Sequence, residues 1–152
     1  MILKIESIIV QGRNKIMRFA AQAVIVAAGV VGFMGSAFAA DLTGPEIKTL
    51  LSGNTVYLET TAASSSGQAG NAAIYWAADG TALFKTASGS IMHGTWVIKD
   101  NTNCTDWKER PGAGCVRYDR TGDTITAIDA ASGKVRAKIV KTASGNAEKL
   151  AP

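Results

Sequence analysis

The sequence predicts a mainly β fold: a small antiparallel up-and-down barrel or sandwich, preceded by one short α-helix. Three observations carry this. From residue 54 onward, short runs rich in β-branched and aromatic residues alternate with turn residues. Glycines in those turns recur about every ten residues, the spacing of consecutive hairpins. No helical apolar periodicity returns after residue 53, which argues against βαβ units.

Taken in order, residues 1–39 read as an N-terminal extension and a cleaved signal peptide. Arg18 supplies a basic start, Phe19 to Phe33 an apolar centre, and Ala37-Phe38-Ala39 a small-x-small cleavage site. Cleavage after Ala39 fits, because a cut after Ala40 would put Phe38 where a small side chain is required. A membrane span needs roughly 20 apolar residues; this core is shorter and is interrupted by Gln22. The expectation is no membrane insertion after cleavage, and residence in the periplasm or outside the cell. Residues 1–16 either extend the basic region or precede a start at Met17.

Next comes the helix signal TGPEIKTLLSGN. Thr43 is placed as N-cap, with Glu46 three residues on to complete a capping box. Pro45 suits the first turn, Ile47, Leu50 and Leu51 share one side, and Gly53 provides the stop. Strands are predicted at 54–60, 71–77, 81–86, 91–99, 103–107, 115–119, 123–129 and 134–141. Asp79-Gly80, between two apolar runs, is the strongest hairpin turn. Residues 60–70, TTAASSSGQAG, read as a mobile loop. The domain organisation is therefore a single barrel-like domain over 40–141 and a flexible tail over 142–152.

Charge narrows the partners. Lys4, Arg13, Lys15 and Arg18 against Glu6 carry +3 of the formal +4, leaving residues 40–152 near +1. Basic and acidic residues there are interspersed, with no stripe or patch to hold nucleic acid or an anionic membrane.

Cys104 and Cys115 are the only cysteines, with ten residues between them. A redox pair wants C-x-x-C, and a structural zinc site wants four ligands, which one histidine and two cysteines do not supply. In an exported chain, pairing is the remaining reading. On adjacent antiparallel strands Cys104 would face Cys115, Thr105 would face Gly114, and Trp107 would face Gly112, with Lys108 to Pro111 as the turn. Alternation then puts Cys104, Asp106, Cys115, Arg117 and Asp119 outside and Trp107, Val116 and Tyr118 inside.

His93 is the one imidazole. Alternation along 91–99 sets Met92, Gly94, Trp96 and Ile98 on one face and His93 on the more polar other. No nucleophile elbow or paired-carboxylate signature is recognisable, so the chain reads as non-catalytic, with no metal site and no cofactor. The ordinary role of Trp76 and Trp96 is core. Trp107 falls near a hairpin tip with Arg110 beside it. These two, with Tyr118 and His93, are the candidate contacts to a ligand or partner.

The segments LTGPEIKTLLSGNTVY (42–57), YWAADGT (75–81), GTW (94–96), CTDW (104–107) and CVRY (115–118), in that order, resemble a family of small exported alpha-proteobacterial proteins of unknown function. In that family a short helix precedes a strand meander with a late cysteine pair, so the resemblance implies compartment and β fold, and transfers no functional residue. Gly94-Thr95-Trp96 also resembles the Gly-x-Trp of lipocalins, whose meander is of the same kind. There the motif stands on the first strand, whereas here it follows several, and no ligand site is carried across.

These readings converge on an exported, non-catalytic binding module for an unidentified small ligand. Small residues at Ala73, Ala77, Ala82 and Gly94 leave room inside, and the 60–70 loop is placed to cover an opening. The alternative is a protein-interaction module, such as an inhibitor of a lysozyme-like enzyme. Small periplasmic lysozyme inhibitors are likewise β-rich and disulfide-bearing, and Ala87-Ser88-Gly89-Ser90 bears a partial resemblance to their inhibitory loop.

Overall fold

The computed structural model describes residues 39–151; the predicted signal segment up to Phe38 lies outside the described residues. A two-residue strand β1 (Ala40–Asp41) leads into α1 (Gly44–Leu51). Eight strands follow: β2 (Asn54–Thr60), β3 (Gly70–Trp76), β4 (Thr81–Lys85), β5 (Ile91–Lys99), β6 (Thr102–Trp107), β7 (Arg110–Thr121), β8 (Thr124–Asp129) and β9 (Val135–Ser144). Each of the eight pairs antiparallel with the next, and β9 returns to pair with β2. The sheet therefore closes, and of the two predicted architectures the molecule is the barrel. Closure leaves no long unpaired edge among these strands.

Local chemistry places the elements. At the β3–β4 turn Asp79 Oδ1 accepts from Thr81 N–H at 2.8 Å, and Gly80 takes φ +90°. Along each strand alternate residues point inward. Val56, Ile74, Phe84, Met92, Trp96, Tyr118, Ala127 and Ala137 thereby join one buried cluster.

Helix α1 closes one end of the barrel. The Glu46 carboxylate accepts from the Thr43 N–H at 2.8 Å and from the Thr43 hydroxyl at 2.7 Å. Gly44 N–H donates to Asn101 Oδ1, on the β5–β6 turn, at 2.9 Å. The helix lies so close to that turn that a side chain at Gly44 would stand 2.5 Å from the Asp100 carbonyl oxygen. Ile47 and Leu51 enter the barrel core with Leu42; burying side chains of this size is worth about 1.5–3 kcal/mol each.

Three expectations are corrected. The strand expected at 115–119 runs from Arg110 to Thr121. Trp107 faces Arg110 rather than Gly112, because the turn is only Lys108-Glu109 and an irregularity of the ladder sets residues 111–113 opposite Asp106. The tail is docked rather than flexible. Strand β9 extends to Ser144, and Thr55 Oγ1 donates to Gly145 O at 2.6 Å while accepting from Ala147 N–H at 3.0 Å. Glu148 then accepts from Tyr57 Oη at 2.9 Å and pairs with Lys85 at 3.0 Å, and Leu150 is buried.

Strand β1, pairing Ala40 with Arg120 and Asp41 with Asp119, was not predicted, since two residues carry no periodicity. The predicted disulfide is present: Cys104 and Cys115 stand opposite one another on β6 and β7 and are bonded.

Candidate functional site

The barrel has two different ends. The turns at 77–80, 100–101 and 122–123 lie at the α1 end, and the 61–69 loop and the turns at 86–90, 108–109 and 130–134 lie at the other. Between the core and this second end the lumen holds a cavity of about 50 Å³. Its apolar wall comes from inward positions of β2, β3, β4, β7, β8 and β9. Its polar groups come from Thr60 on β2, Trp76 on β3, Asn103, Thr105 and Trp107 on β6, Tyr118 on β7, Arg136 on β9 and Ser64 and Ser65 in the loop.

Each polar side chain has a structural reason to be there. Strand β6 alternates, so Asn103, Thr105 and Trp107 turn inward once Cys104 is committed to the outer face. The Trp107 ring lies against Trp76 and Phe84, with centroids 6.4 and 5.5 Å away. It fills the space beside Gly94, so that the room the sequence suggested at this glycine is occupied.

Arg136 owes its position to a bulge. Ala127 pairs with Ala137 and Ile128 with Val135, which leaves Arg136 without an opposite residue; such a residue is re-aimed relative to its strand. The guanidinium lies over Gly114, where a Cβ would meet Nη2 at 2.9 Å. It pairs with Asp129 through Nη2 and donates from Nη1 to Ser65 Oγ at 3.3 Å.

Residues 61–69 cover the mouth. Rather than moving freely, the segment is tied at several points. Thr61 N–H donates to Arg136 O at 2.8 Å, and Ser64 Oγ donates to Gln68 O at 3.0 Å. Arg110 Nη1 donates to Ser65 O at 2.8 Å. Outside it is an open cleft of about 330 Å³, whose walls include Ala62, Ala63, Arg110, Pro111 and Gly112. Ser64, Ser65, Trp107 and Arg136 line both spaces and form the partition between them.

Among the described residues, the buried side-chain nitrogens and oxygens without a hydrogen-bond partner are Trp76 Nε1, Trp107 Nε1, Asn103 Oδ1 and Arg136 Nε. All four belong to residues lining the inner cavity. Trp76 and Trp107 are each 4% exposed and Asn103 1%, so bulk water does not satisfy them. A buried group left without a partner costs about 1–3 kcal/mol. Trp96 shows the usual arrangement: its Nε1–H donates to Ala77 O at 2.9 Å. Asn103 Nδ2 donates to Tyr118 Oη at 3.4 Å, and turning the amide over would merely leave Nδ2 as the unpartnered atom.

Electrostatically, burial pushes the Tyr118 hydroxyl up to about 12, with the Asn103 hydrogen bond and Arg136 pulling the other way; it stays neutral and able to donate at ordinary pH. Asp129 is held down at about 2, first by hydrogen bonds from the Ser132 side chain and backbone and then by Arg136. The residues lining the lumen carry N–H donors, one amide and several hydroxyls against an apolar wall.

Of the four candidate residues, Trp107 and Tyr118 stand in the lumen and Arg110 holds the loop over the mouth. His93 is apart from them. It lies on the outer face of β5, where its Nδ1 is 2.8 Å from Glu109 Oε1 and its backbone N–H donates to Glu109 Oε2 at 2.8 Å. Sequence reasoning gave Trp76 a core role only and missed Asn103 and Arg136. Asn103 was within reach, as the polar member of an inward alternation with Trp107. Arg136 was not, since its direction depends on the bulge.

No family model, curated protein or solved structure matches this chain. Among the described residues no helix is long and apolar enough to cross a membrane, and no three His, Cys, Asp or Glu side chains gather as a metal site would require.

Proposed function

We propose that the domain is an exported, non-catalytic binding module that holds a small ligand in the lumen and mouth of its barrel. One observation carries this reading: the four unpartnered buried polar atoms all belong to residues lining a single cavity. Polar groups in protein interiors are normally satisfied, and a cavity that gathers the exceptions is arranged for something that completes them. The closed barrel with a covered mouth is a common setting for such sites.

Export is supported by the signal-type run with its Ala37-Phe38-Ala39 site and by a disulfide suited to an oxidising compartment. The first paired residue among those described, Ala40, is also the residue that cleavage after Ala39 would expose. A binding role is favoured over catalysis because the lumen presents donors and an amide, while the histidine and its carboxylate partner lie outside.

The test is native mass spectrometry of residues 40–152 purified from the periplasm without reducing agent. The expected result is an adduct that is lost on denaturation. A protein that stays bare, both as purified and after incubation with a periplasmic small-molecule extract, overturns the reading.

A further inference from the structure

The character of the unpartnered groups points to a class of ligand, on the footing that the lumen is a binding site. An indole N–H donates and does not accept, and so does a guanidinium Nε–H. Three of the four unpartnered atoms are therefore pure donors: Trp76 Nε1, Trp107 Nε1 and Arg136 Nε. Tyr118 adds a hydroxyl, and Asn103 an amide that serves either way. The complement is a group rich in acceptor oxygens.

Charge and size narrow it further. The side chains that line the cavity and the outer cleft include two guanidiniums, Arg110 and Arg136, and no carboxylate or lysine. Asp129 stands behind Arg136 and neutralises one of the two, so the lining retains a positive charge that a concave, low-dielectric site focuses on an anion. A water needs roughly 10–15 Å³ of cavity, so a cavity of about 50 Å³ accommodates a head of a few heavy atoms and not a whole organic ligand. The outer cleft of about 330 Å³ lies across the partition formed by Ser65 and Arg136, whose contact at 3.3 Å is long for a hydrogen bond.

We infer that the inner cavity takes the carboxylate head of a small organic acid, whose apolar remainder passes between Ser65 and Arg136 into the outer cleft. The two indole N–H groups and Arg136 Nε–H, which are closed to water as the barrel stands, turn to the carboxylate as the side chains shift on binding. Parting the Ser65–Arg136 contact opens the way, and Trp107, shared by both spaces, gives the apolar chain a surface to lie on.

The indoles supply a built-in control. In ¹⁵N-labelled protein there are three indole N–H signals, assigned by single Trp→Phe substitutions, and Trp96 is already bonded to Ala77 O. Hexanoate is expected to shift the Trp76 and Trp107 signals saturably and to leave Trp96 in place, at least about tenfold more tightly than hexan-1-ol. Trp107→Phe, which keeps an aromatic ring at this position and removes one donor, is expected to weaken hexanoate by about tenfold, as for one hydrogen bond to a charged group. If hexan-1-ol moves the same two signals as tightly as hexanoate, the carboxylate assignment falls and the lumen stands as a binding site. If neither probe moves either signal, the lumen site falls as well.

Discussion

At Gly94 strand β5 passes so near β6 that a methyl group would stand 2.5 Å from the Asp106 carbonyl oxygen and 2.7 Å from Trp107 Cε3. The backbone atom has nowhere to go, and the ring is wedged against Trp76 and Phe84. Gly94→Ala is therefore expected to cost about 1–3 kcal/mol, the range for overpacking, read as a lower urea midpoint with an unchanged slope; an unaltered midpoint would show that Trp107 is loosely held. Asp129 gives a pH signature. Its folded pKa of about 2 lies below the ordinary carboxylate value, so the stability it contributes is present above about pH 4 and is lost as pH falls toward about 2. Thermal melts of the wild type and Asp129→Asn should differ by a constant amount near neutrality and converge over that acid window. Glu46, Asp79, Glu109 and Glu148 are also held below the usual range by their hydrogen bonds, and both proteins share them, so convergence reports Asp129 alone. A gap that persists to about pH 2 would remove the Ser132–Arg136 account of this carboxylate.

At the level of elements, the β6–β7 hairpin combines the disulfide with the irregular turn that seats Trp107. The bond closes a loop with a sequence separation of 11, worth about 3 kcal/mol in the chain-entropy model. Replacing both cysteines by serine should lower the urea midpoint accordingly. It should also spare far-UV circular dichroism, because the Thr105–Gly114 and Asn103–Val116 pairs of the ladder remain. Loss of the folded signal altogether would mean that the hairpin organises the barrel rather than bracing it. Helix α1 shows how local and distant signals combine. Its capping box was readable from Thr43 and Glu46, whereas the Asn101 side chain that receives the Gly44 N–H comes from 57 residues away. The C-terminal segment makes the same point. TASGNAEKLAP is polar and Gly-containing and reads as a tail, yet Gly145, Ala147 and Glu148 find partners on β2 and β4 once β9 has been brought beside β2.

Over the whole molecule, alternation and turn chemistry made much of the barrel legible. Strands β2 and β5 coincide with the predicted 54–60 and 91–99; the facing of Cys104 and Cys115 followed from their pairing, and the inward set Trp107, Val116 and Tyr118 from alternation once they were paired. The strand predicted at 115–119 is longer in place, because Arg110 and Pro111, expected in the turn, join Gly112 and Gly114 in an irregular ladder. The candidate site was half visible. Trp107 and Tyr118 were named from their face and Arg110 from its neighbour, while Arg136 and the partition at Ser65 were not. By itself the sequence determined the helix and its cap, the β character, most strand positions and the cysteine pair, because these rest on contacts between residues close along the chain or on strict alternation. Tertiary structure alone decided that β9 closes on β2, that a bulge turns Arg136 across the mouth, and that the residues carrying four unpartnered polar atoms line one cavity. Those outcomes depend on which distant strands pair and in what register, and a shift of one residue in register sends every side chain of a strand to the other face.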